Sequence, residues 1–158
     1  MVRADTLPES LTANLAAQYA QAHTAMTRWL EQTTLQSESL ANARAAWIDA
    51  DRSHARAFDA MRAWEDARGS DPNTPCRDII HESAHRFLLG LSNWAIDRQH
   101  TFDECAARWE ATAERATAAS EALWTAACAL GTDNALEDAA ELLVKLSRLI
   151  ADTRRASL

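Results

Sequence analysis

Glycine, proline and cysteine are scarce in this 158-residue chain, which contains three of each. So little glycine excludes a collagen-like chain, and a hydrophobic content of 47% excludes an intrinsically disordered one. No stretch approaches the roughly 18 unbroken apolar residues of a membrane-spanning helix, so we expect no membrane partner.

The cysteines Cys76, Cys105 and Cys128 are odd in number and far apart, without a CxxC pair. This pattern is not that of a disulfide framework or a zinc ribbon, and it predicts reduced thiols. The first residues carry Asp5 and Glu9 where a signal peptide would be apolar. Together these features predict a cytoplasmic protein.

Basic residues are also fewer than acidic ones: the chain has 16 Lys and Arg and 23 Asp and Glu, which gives a net charge of −7. Sequence-independent binding of nucleic acid needs basic residues that neutralise phosphates, so we expect no nucleic-acid partner. The one basic cluster, Lys145, Arg148, Arg154 and Arg155, belongs to the last predicted helix. Cations at that position stabilise the negative end of the helix dipole.

Residues that favour helix dominate the remainder, with 35 Ala among many Leu, Glu, Gln and Arg. Apolar residues recur at steps of three and four, as on the buried face of a helix. The pattern predicts an all-α protein, an antiparallel bundle of about five helices in one domain over residues 1–158. We expect a flexible N-terminus at 1–7, a helical hairpin over 8–68 and a three-helix portion over 76–155.

The first predicted break is the polar run from Gln32 to Ser39, whose Ser and Thr side chains compete with helix by bonding the backbone. An unbroken helix over 8–68 would be about 90 Å long, too long for one compact domain of this size. The first two helices are therefore predicted to form a hairpin, either within the bundle or as a long arm that favours dimerisation. The segment from Gly69 to Pro75 is the second break.

In the second half, Thr74 and Pro75 are predicted to open a helix that turns Ile80 and Phe87 inward. A capping box, Thr101 with Glu104, predicts the start of the next helix. Gly131 is predicted to end that helix, and Asp133 or Asn134 to cap the last one. The inward stripes of these two helices are Trp109, Ala113, Ala116, Ser120, Leu123 and Ala127, then Leu136, Ala139, Leu143, Leu146 and Ile150.

The sharpest motif is HExxH, formed by His81, Glu82 and His85 on a predicted helix. Two His four residues apart share a helical face and can bind one Zn²⁺, with Glu82 as general base. The motif resembles that of the zinc metalloproteases, which implies hydrolysis. Leu88 and Leu91 replace the Gly and His of the metzincin extension. The third ligand is then Glu104, His100 or Asp103.

A second pattern of metal ligands covers several helices. His81 and His85 form HxxxH, His100 and Glu104 form HxxxE, and His54 and Asp59 form HxxxxD, while His23 stands alone. In kind and number these resemble the ligands of hemerythrin, which implies a di-iron centre in a four-helix bundle, although the order of the motifs differs. Glu82 with His85 also makes one ExxH of the ferritin-like kind, without the second that such sites require.

An acidic group, Glu137, Asp138 and Glu141, resembles the Mg²⁺ ligands of all-α nucleotide pyrophosphohydrolases. Acids in a first helical turn are also favoured by the helix dipole, which is the interpretation that we prefer.

The function predicted from these features is protein–protein interaction or self-association by a non-enzymatic helical bundle. Trp29, Trp47 and Trp64, on the apolar stripes of the first two helices, are the predicted contacts with a partner. The alternative is a metal-binding protein, hydrolytic or redox, that holds zinc or iron through His81, His85 and Glu104.

Overall fold

The computed structural model describes residues 9–69 and 71–157, and every regular element in them is helical. Helix α1 spans Glu9–Trp64 and ends in a π-helical turn, Glu65–Gly69; helix α2 spans Arg77–Leu130 and helix α3 spans Asp133–Ser157. The all-α class is confirmed. The prediction of about five helices is wrong, because there are three α-helices, and residues 1–7 lie outside the described residues.

Helix α1 passes without interruption through the polar run in which a break was predicted, so residues 8–68 do not form a hairpin. Thr33 donates from Oγ1 to the carbonyl of Trp29 at 2.7 Å, and Thr34 does the same to Leu30 at 2.9 Å. These hydroxyls bond the backbone inside the helix instead of ending it. Thr33 is fully buried, so the polar run contributes to the core.

Helix α2 likewise continues through the predicted capping box, and residues 76–155 hold two helices where three were predicted. Thr101 donates to the carbonyl of Asp97 at 3.1 Å, one turn back along the same helix. Its hydroxyl therefore satisfies an acceptor within α2 and caps no new helix.

The predicted end of α2 is confirmed, whereas the predicted cap of α3 is wrong. Gly131 ends α2 with a φ of 73°, the left-handed conformation that glycine adopts freely, and its N–H donates to the carbonyl of Ala127 at 2.8 Å. Thr132, and neither Asp133 nor Asn134, accepts from the Ala135 N–H at the start of α3, at 3.4 Å.

The loop between the π-turn and α2 also lies where it was predicted. Asp71 accepts from the Asn73 N–H at 2.9 Å and Thr74 donates from Oγ1 to the carbonyl of Arg68 at 2.8 Å. These bonds tie the end of the π-turn to the start of α2.

The chain divides into two compact units, and the single domain over residues 1–158 stays a prediction. Unit 1 comprises Met1–Ser39 and Ala107–Leu158, of which 9–39 and 107–157 are described. Its core draws on all three helices, and the stripes predicted from Trp109 to Ala127 and from Leu136 to Ile150 are confirmed. The fully or nearly buried members are Met26, Ala116, Leu123, Ala127, Ala135, Ala139 and Leu146.

A polar contact lies within this apolar core. Ser37 on α1 accepts from Trp109 Nε1 on α2 at 2.8 Å, and its Oγ shares a hydrogen bond of 2.9 Å with Thr153 on α3. Buried hydroxyl and indole groups need such partners. The contact fixes the register of three helices at one level.

Unit 2 comprises Leu40–Ala106, the second part of α1, the π-turn, the loop and the first part of α2. Its buried apolar residues are Leu40, Ala43, Ala50 and Leu88. Trp47 stacks on Phe102 across the two helices, with ring centroids 5.4 Å apart. Unit 2 is thus a helical hairpin with one narrow seam.

The inward face predicted for the start of α2 is wrong in one respect. Leu88 is buried, whereas Ile80 and Phe87 are exposed. The seam of the hairpin lies about 100° further around α2 than the position of Phe87.

No helix in the described part of the chain is both long and apolar enough to cross a membrane.

Candidate functional site

A carboxylate and two imidazoles meet near the closed end of the hairpin in unit 2. Glu65 is the first residue of the π-turn, and His81 and His85 lie one turn apart in the first turns of α2. One ligand atom from each lies within 4.8 Å of the others. We call Glu65, His81 and His85 the histidine cluster; it is the one group of this kind that the described residues contain.

The contacts in the histidine cluster form a chain. His81 Nδ1 lies 3.0 Å from Glu65 Oε1, and His81 Nε2 lies 3.0 Å from His85 Nε2. The two rings meet edge to face, with centroids 4.4 Å apart. A π-turn is a frequent feature of functional sites because it re-aims side chains out of the regular helical register.

The carboxylate determines which nitrogen of His81 carries the proton. Because an ionised carboxylate only accepts hydrogen bonds, the Nδ1 of His81 must donate to Glu65. In the neutral ring, Nε2 then has a free lone pair directed at His85. The side chain of Glu65 is 32% exposed and that of His81 is 46% exposed, so the cluster is open to solvent.

Glu82 of the HExxH motif is engaged elsewhere. Its Oε1 accepts from Arg86 Nη2 at 2.7 Å, an i,i+4 ion pair on the surface of α2. Arg86 thus holds the carboxylate that the metalloprotease resemblance assigns as general base. Glu82 is therefore not part of the histidine cluster.

The remaining predicted ligands are not brought to the histidine cluster. Glu104 lies 19 residues after His85 on the same continuous helix, about 28 Å further along its axis. His100 lies about 22 Å beyond His85 by the same rise per residue. His54 is on α1, where its ring stacks on Phe58. The spacing along α2 thus separates the motifs that resemble those of hemerythrin.

Glu65 is not among the predicted ligands, although the sequence contains a signal for it. The segment from Gly69 to Pro75 predicts a turn, and a hairpin closed by that turn places Glu65 opposite His81. The predicted division into portions 8–68 and 76–155 separates the two residues, so it does not indicate their contact.

The tryptophans predicted as partner contacts are half-buried. Trp29 packs against the core of unit 1, with the guanidinium of Arg115 5.5 Å from its ring centroid. Trp47 stacks on Phe102 within unit 2, and Trp64 is the last residue of α1. Intramolecular packing thus accounts for much of the surface of Trp29 and Trp47, and their role in partner binding stays a prediction.

Several large apolar side chains on α2 are more exposed, and most of them form two rows; Ile79, also exposed, belongs to neither row. Ile80, Phe87 and the half-buried Trp94 recur every seven residues, and we call them the Phe87 row. Leu89 and Ile96, also seven apart, form the Leu89 row. Positions 87 and 89 differ by about 200° around a helix, so the two rows lie on different sides of α2.

Charged groups at the C-terminal end of α3 are paired. Arg154 contacts Glu110, Arg155 contacts Asp152, and Lys145 contacts Glu141 at 3.3 Å. The last pair engages one carboxylate of the acidic group that resembles a Mg²⁺ site. These side chains form surface ion pairs within unit 1.

Comparison with models of protein families, with curated proteins and with solved structures finds no match for this chain.

Proposed function

We propose that this protein is a non-enzymatic helical protein that acts by self-association through unit 2. The observation that carries the proposal is the exposure of large apolar side chains on α2, with Phe87 63% exposed. Exposed apolar surface that extends along a helix is typical of interaction sites, because leaving it in water is unfavourable. A partner that covers the Phe87 row would gain that free energy.

A second copy of the chain is the occupant that suits this surface best. Two helices share only one interface, and on the flanks of α2 the side chains of Phe87 and Leu89 are each 63% exposed. Two such hairpins, related by a twofold axis, would form a four-helix bundle and bury the same row of each copy. A seven-residue spacing of Ile80, Phe87 and Trp94 is the spacing used by packed seams of this kind.

Charge does not oppose this pairing. Residues 40–106 contain eight Arg and eleven Asp or Glu, so both signs are present on each hairpin. Charges of both signs around an interface allow identical copies to pair, since each positive group can meet a negative one.

The test is sedimentation equilibrium of the wild-type protein over a wide range of concentration, compared with Phe87→Glu. The dissociation constant of the dimer should rise at least thirtyfold, roughly the 2 kcal/mol of a buried interface anchor. Leu89→Glu is the matched control, because Leu89 is also 63% exposed but belongs to the other row. The control should dimerise like the wild type.

Three outcomes decide the proposal. A wild-type protein that stays monomeric at every concentration overturns it, as does dimerisation that Phe87→Glu leaves unchanged. Equal weakening by Leu89→Glu overturns the assignment to the Phe87 row. The contribution predicted for Trp64 is measured in the same assay with Trp64→Ala.

We also propose the cytoplasm as the compartment. The three cysteines are free thiols in the described chain, with Cys76 and Cys128 exposed, and exposed thiols of this kind persist where the surroundings are reducing.

A further inference from the structure

We propose that His81 and His85 bind a divalent transition-metal ion between their Nε2 atoms, and that Glu65 holds the ring of His81 in the orientation this requires. This binding involves the histidine cluster alone and does not depend on self-association.

The two nitrogens already have the separation of a pair of ligands. Their Nε2 atoms lie 3.0 Å apart on one face of α2. If an ion lies at the usual distance of 2.0–2.1 Å from each of these nitrogens, the N–ion–N angle is about 90°. This angle corresponds to adjacent coordination positions. Two His spaced i,i+4 on a helix are a recognised arrangement for holding one metal ion.

Glu65 is a positioning residue in this site. Its Oε1 accepts from His81 Nδ1 at 3.0 Å, which leaves Nε2 as the nitrogen that faces outward. A carboxylate behind a metal-binding imidazole fixes the tautomer and the ring orientation, and it strengthens the nitrogen as a ligand. Because Glu65 belongs to the π-turn and His81 to α2, this bond also joins the two arms of the hairpin.

Ion binding requires only one proton to move. With the proton of His81 held on Nδ1, the metal-free hydrogen bond must have the Nε2–H of His85 as its donor. When a metal ion enters, the proton of His85 transfers through water to its own Nδ1, and both Nε2 lone pairs coordinate the ion. The hydrogen bond between the two rings is lost, the ion gives up water molecules for the two nitrogens, and the contact of His81 with Glu65 is kept. His85 is exposed, so solvent can carry the proton.

The chemistry of the donors defines the class of ion. Imidazole nitrogen suits Zn²⁺, Cu²⁺ and Ni²⁺, whereas Mg²⁺ and Ca²⁺ require oxygen ligands. Two protein nitrogens leave further coordination positions open, and water fills them in a site that is this exposed.

The experiment is isothermal titration of the full-length protein with Zn²⁺, repeated with Mg²⁺. The wild type should bind one equivalent of Zn²⁺ and no Mg²⁺. His81→Ala and His85→Ala should each abolish the binding. Glu65→Ala should weaken it by about 10- to 100-fold, the usual cost of losing an orienting carboxylate. Glu65→Gln should restore part of the loss, since its amide oxygen still accepts from Nδ1.

Matched controls separate this site from general affinity for metal. Glu82→Ala removes a neighbouring exposed carboxylate that pairs with Arg86, and His100→Ala removes an imidazole further along α2. Both variants should bind Zn²⁺ like the wild type, and circular dichroism should show the same helix content in every variant.

Two spectroscopic readouts test the roles of the residues. The electron paramagnetic resonance spectrum with one equivalent of Cu²⁺ should show coupling to two nitrogens in the wild type, and His85→Ala should lose this spectrum. Long-range ¹H–¹⁵N spectra of the metal-free protein should show His81 protonated on Nδ1, and Glu65→Ala should lose that preference.

The proposal is overturned if the wild type does not bind Zn²⁺, or if His81→Ala or His85→Ala binds it as tightly as the wild type does. Equal losses in His100→Ala would also overturn it. Unchanged affinity in Glu65→Ala, or an Nε2 tautomer of His81, overturns the role of Glu65.

Discussion

Units 1 and 2 are built from the same two long helices, but only unit 1 includes a third helix, α3. In unit 1 the apolar stripes of all three helices meet, and Met26 and Leu123 are fully buried. In unit 2 one narrow seam is buried, and Phe87 and Leu89 remain in water. The number of neighbouring helices, more than the composition of each helix, determines how much apolar surface is covered.

The two units also differ in what their substitutions are expected to change. Unit 1 contains the apolar core and the polar contact of Ser37 with Trp109, which together fix the packing. Unit 2 contains the histidine cluster and the exposed rows of α2. Substitutions in unit 1 should therefore change the free energy of unfolding, whereas those on the surface of unit 2 should change binding.

The largest effect is expected from Leu123→Ala in unit 1. Removing a fully buried leucine should lower the free energy of unfolding by about 2–5 kcal/mol, because it leaves a cavity in the core. Leu89→Ala in unit 2 should change it by less than about 0.5 kcal/mol at concentrations where the protein is monomeric. Urea denaturation measures both, and equal losses would contradict the division between the units.

A smaller loss is expected from Ser37→Ala. The Nε1–H of Trp109, which is buried, would lose its acceptor, at a cost of about 1–3 kcal/mol. Ser39→Ala, two residues away and exposed, is the control and should be close to neutral. If the two variants have the same stability, the hydrogen bond between Ser37 and Trp109 does not contribute to the stability of unit 1.

Substituting alanine for two of the glycines should change the stability of the protein in opposite directions. Gly131→Ala should cost about 1 kcal/mol, because its φ of 73° strains any residue with a Cβ. Gly90→Ala in unit 2 should stabilise the protein by about 0.5–1 kcal/mol, since a Cβ at this helical position meets no atom within 4 Å. Thermal denaturation gives both signs, and a loss from Gly90→Ala would show that α2 is more closely covered there.

The smallest effect concerns Tyr19 in unit 1. Burial, and secondly the negative charge of Asp138, raise the pKa of its phenol above the ordinary value of 10.0. The unfolded chain therefore loses this proton first, and the stability from Tyr19 is present below about pH 10 and declines as pH rises through the folded-state pKa. The wild type should lose more stability than Tyr19→Phe at alkaline pH.

Tyr19 is the only tyrosine in the chain, so its ionisation can be followed directly by absorbance. The midpoint of the native protein should lie above that of the protein in urea. A native midpoint equal to or below the unfolded one would show that the phenol is not shielded.

Much of the fold was predictable from the periodicity of apolar residues. The stripe from Trp109 to Ala127 is buried as predicted, and Gly131 ends its helix as predicted. The number of helices was not predictable from the same signals. Thr33 and Thr101 have side chains that suit a cap, but both bond a carbonyl one turn back, which a helix allows equally well.

The candidate site was predictable in part. The spacing of His81 and His85 places both rings on one face of any helix. Glu65 joins them only because the hairpin folds back at the loop after the π-turn, and Glu104 is separated from them only because α2 continues past Thr101. Both facts depend on where helices end.

The amino-acid sequence by itself determined that this chain is helical and which side chains are apolar on each turn, because propensity and periodicity are local properties. Only the tertiary structure decided which of those stripes are covered. Burial depends on how many helices pack against a given face. In unit 1 the helix α3 contributes to the core, whereas in unit 2 Phe87 stays 63% exposed.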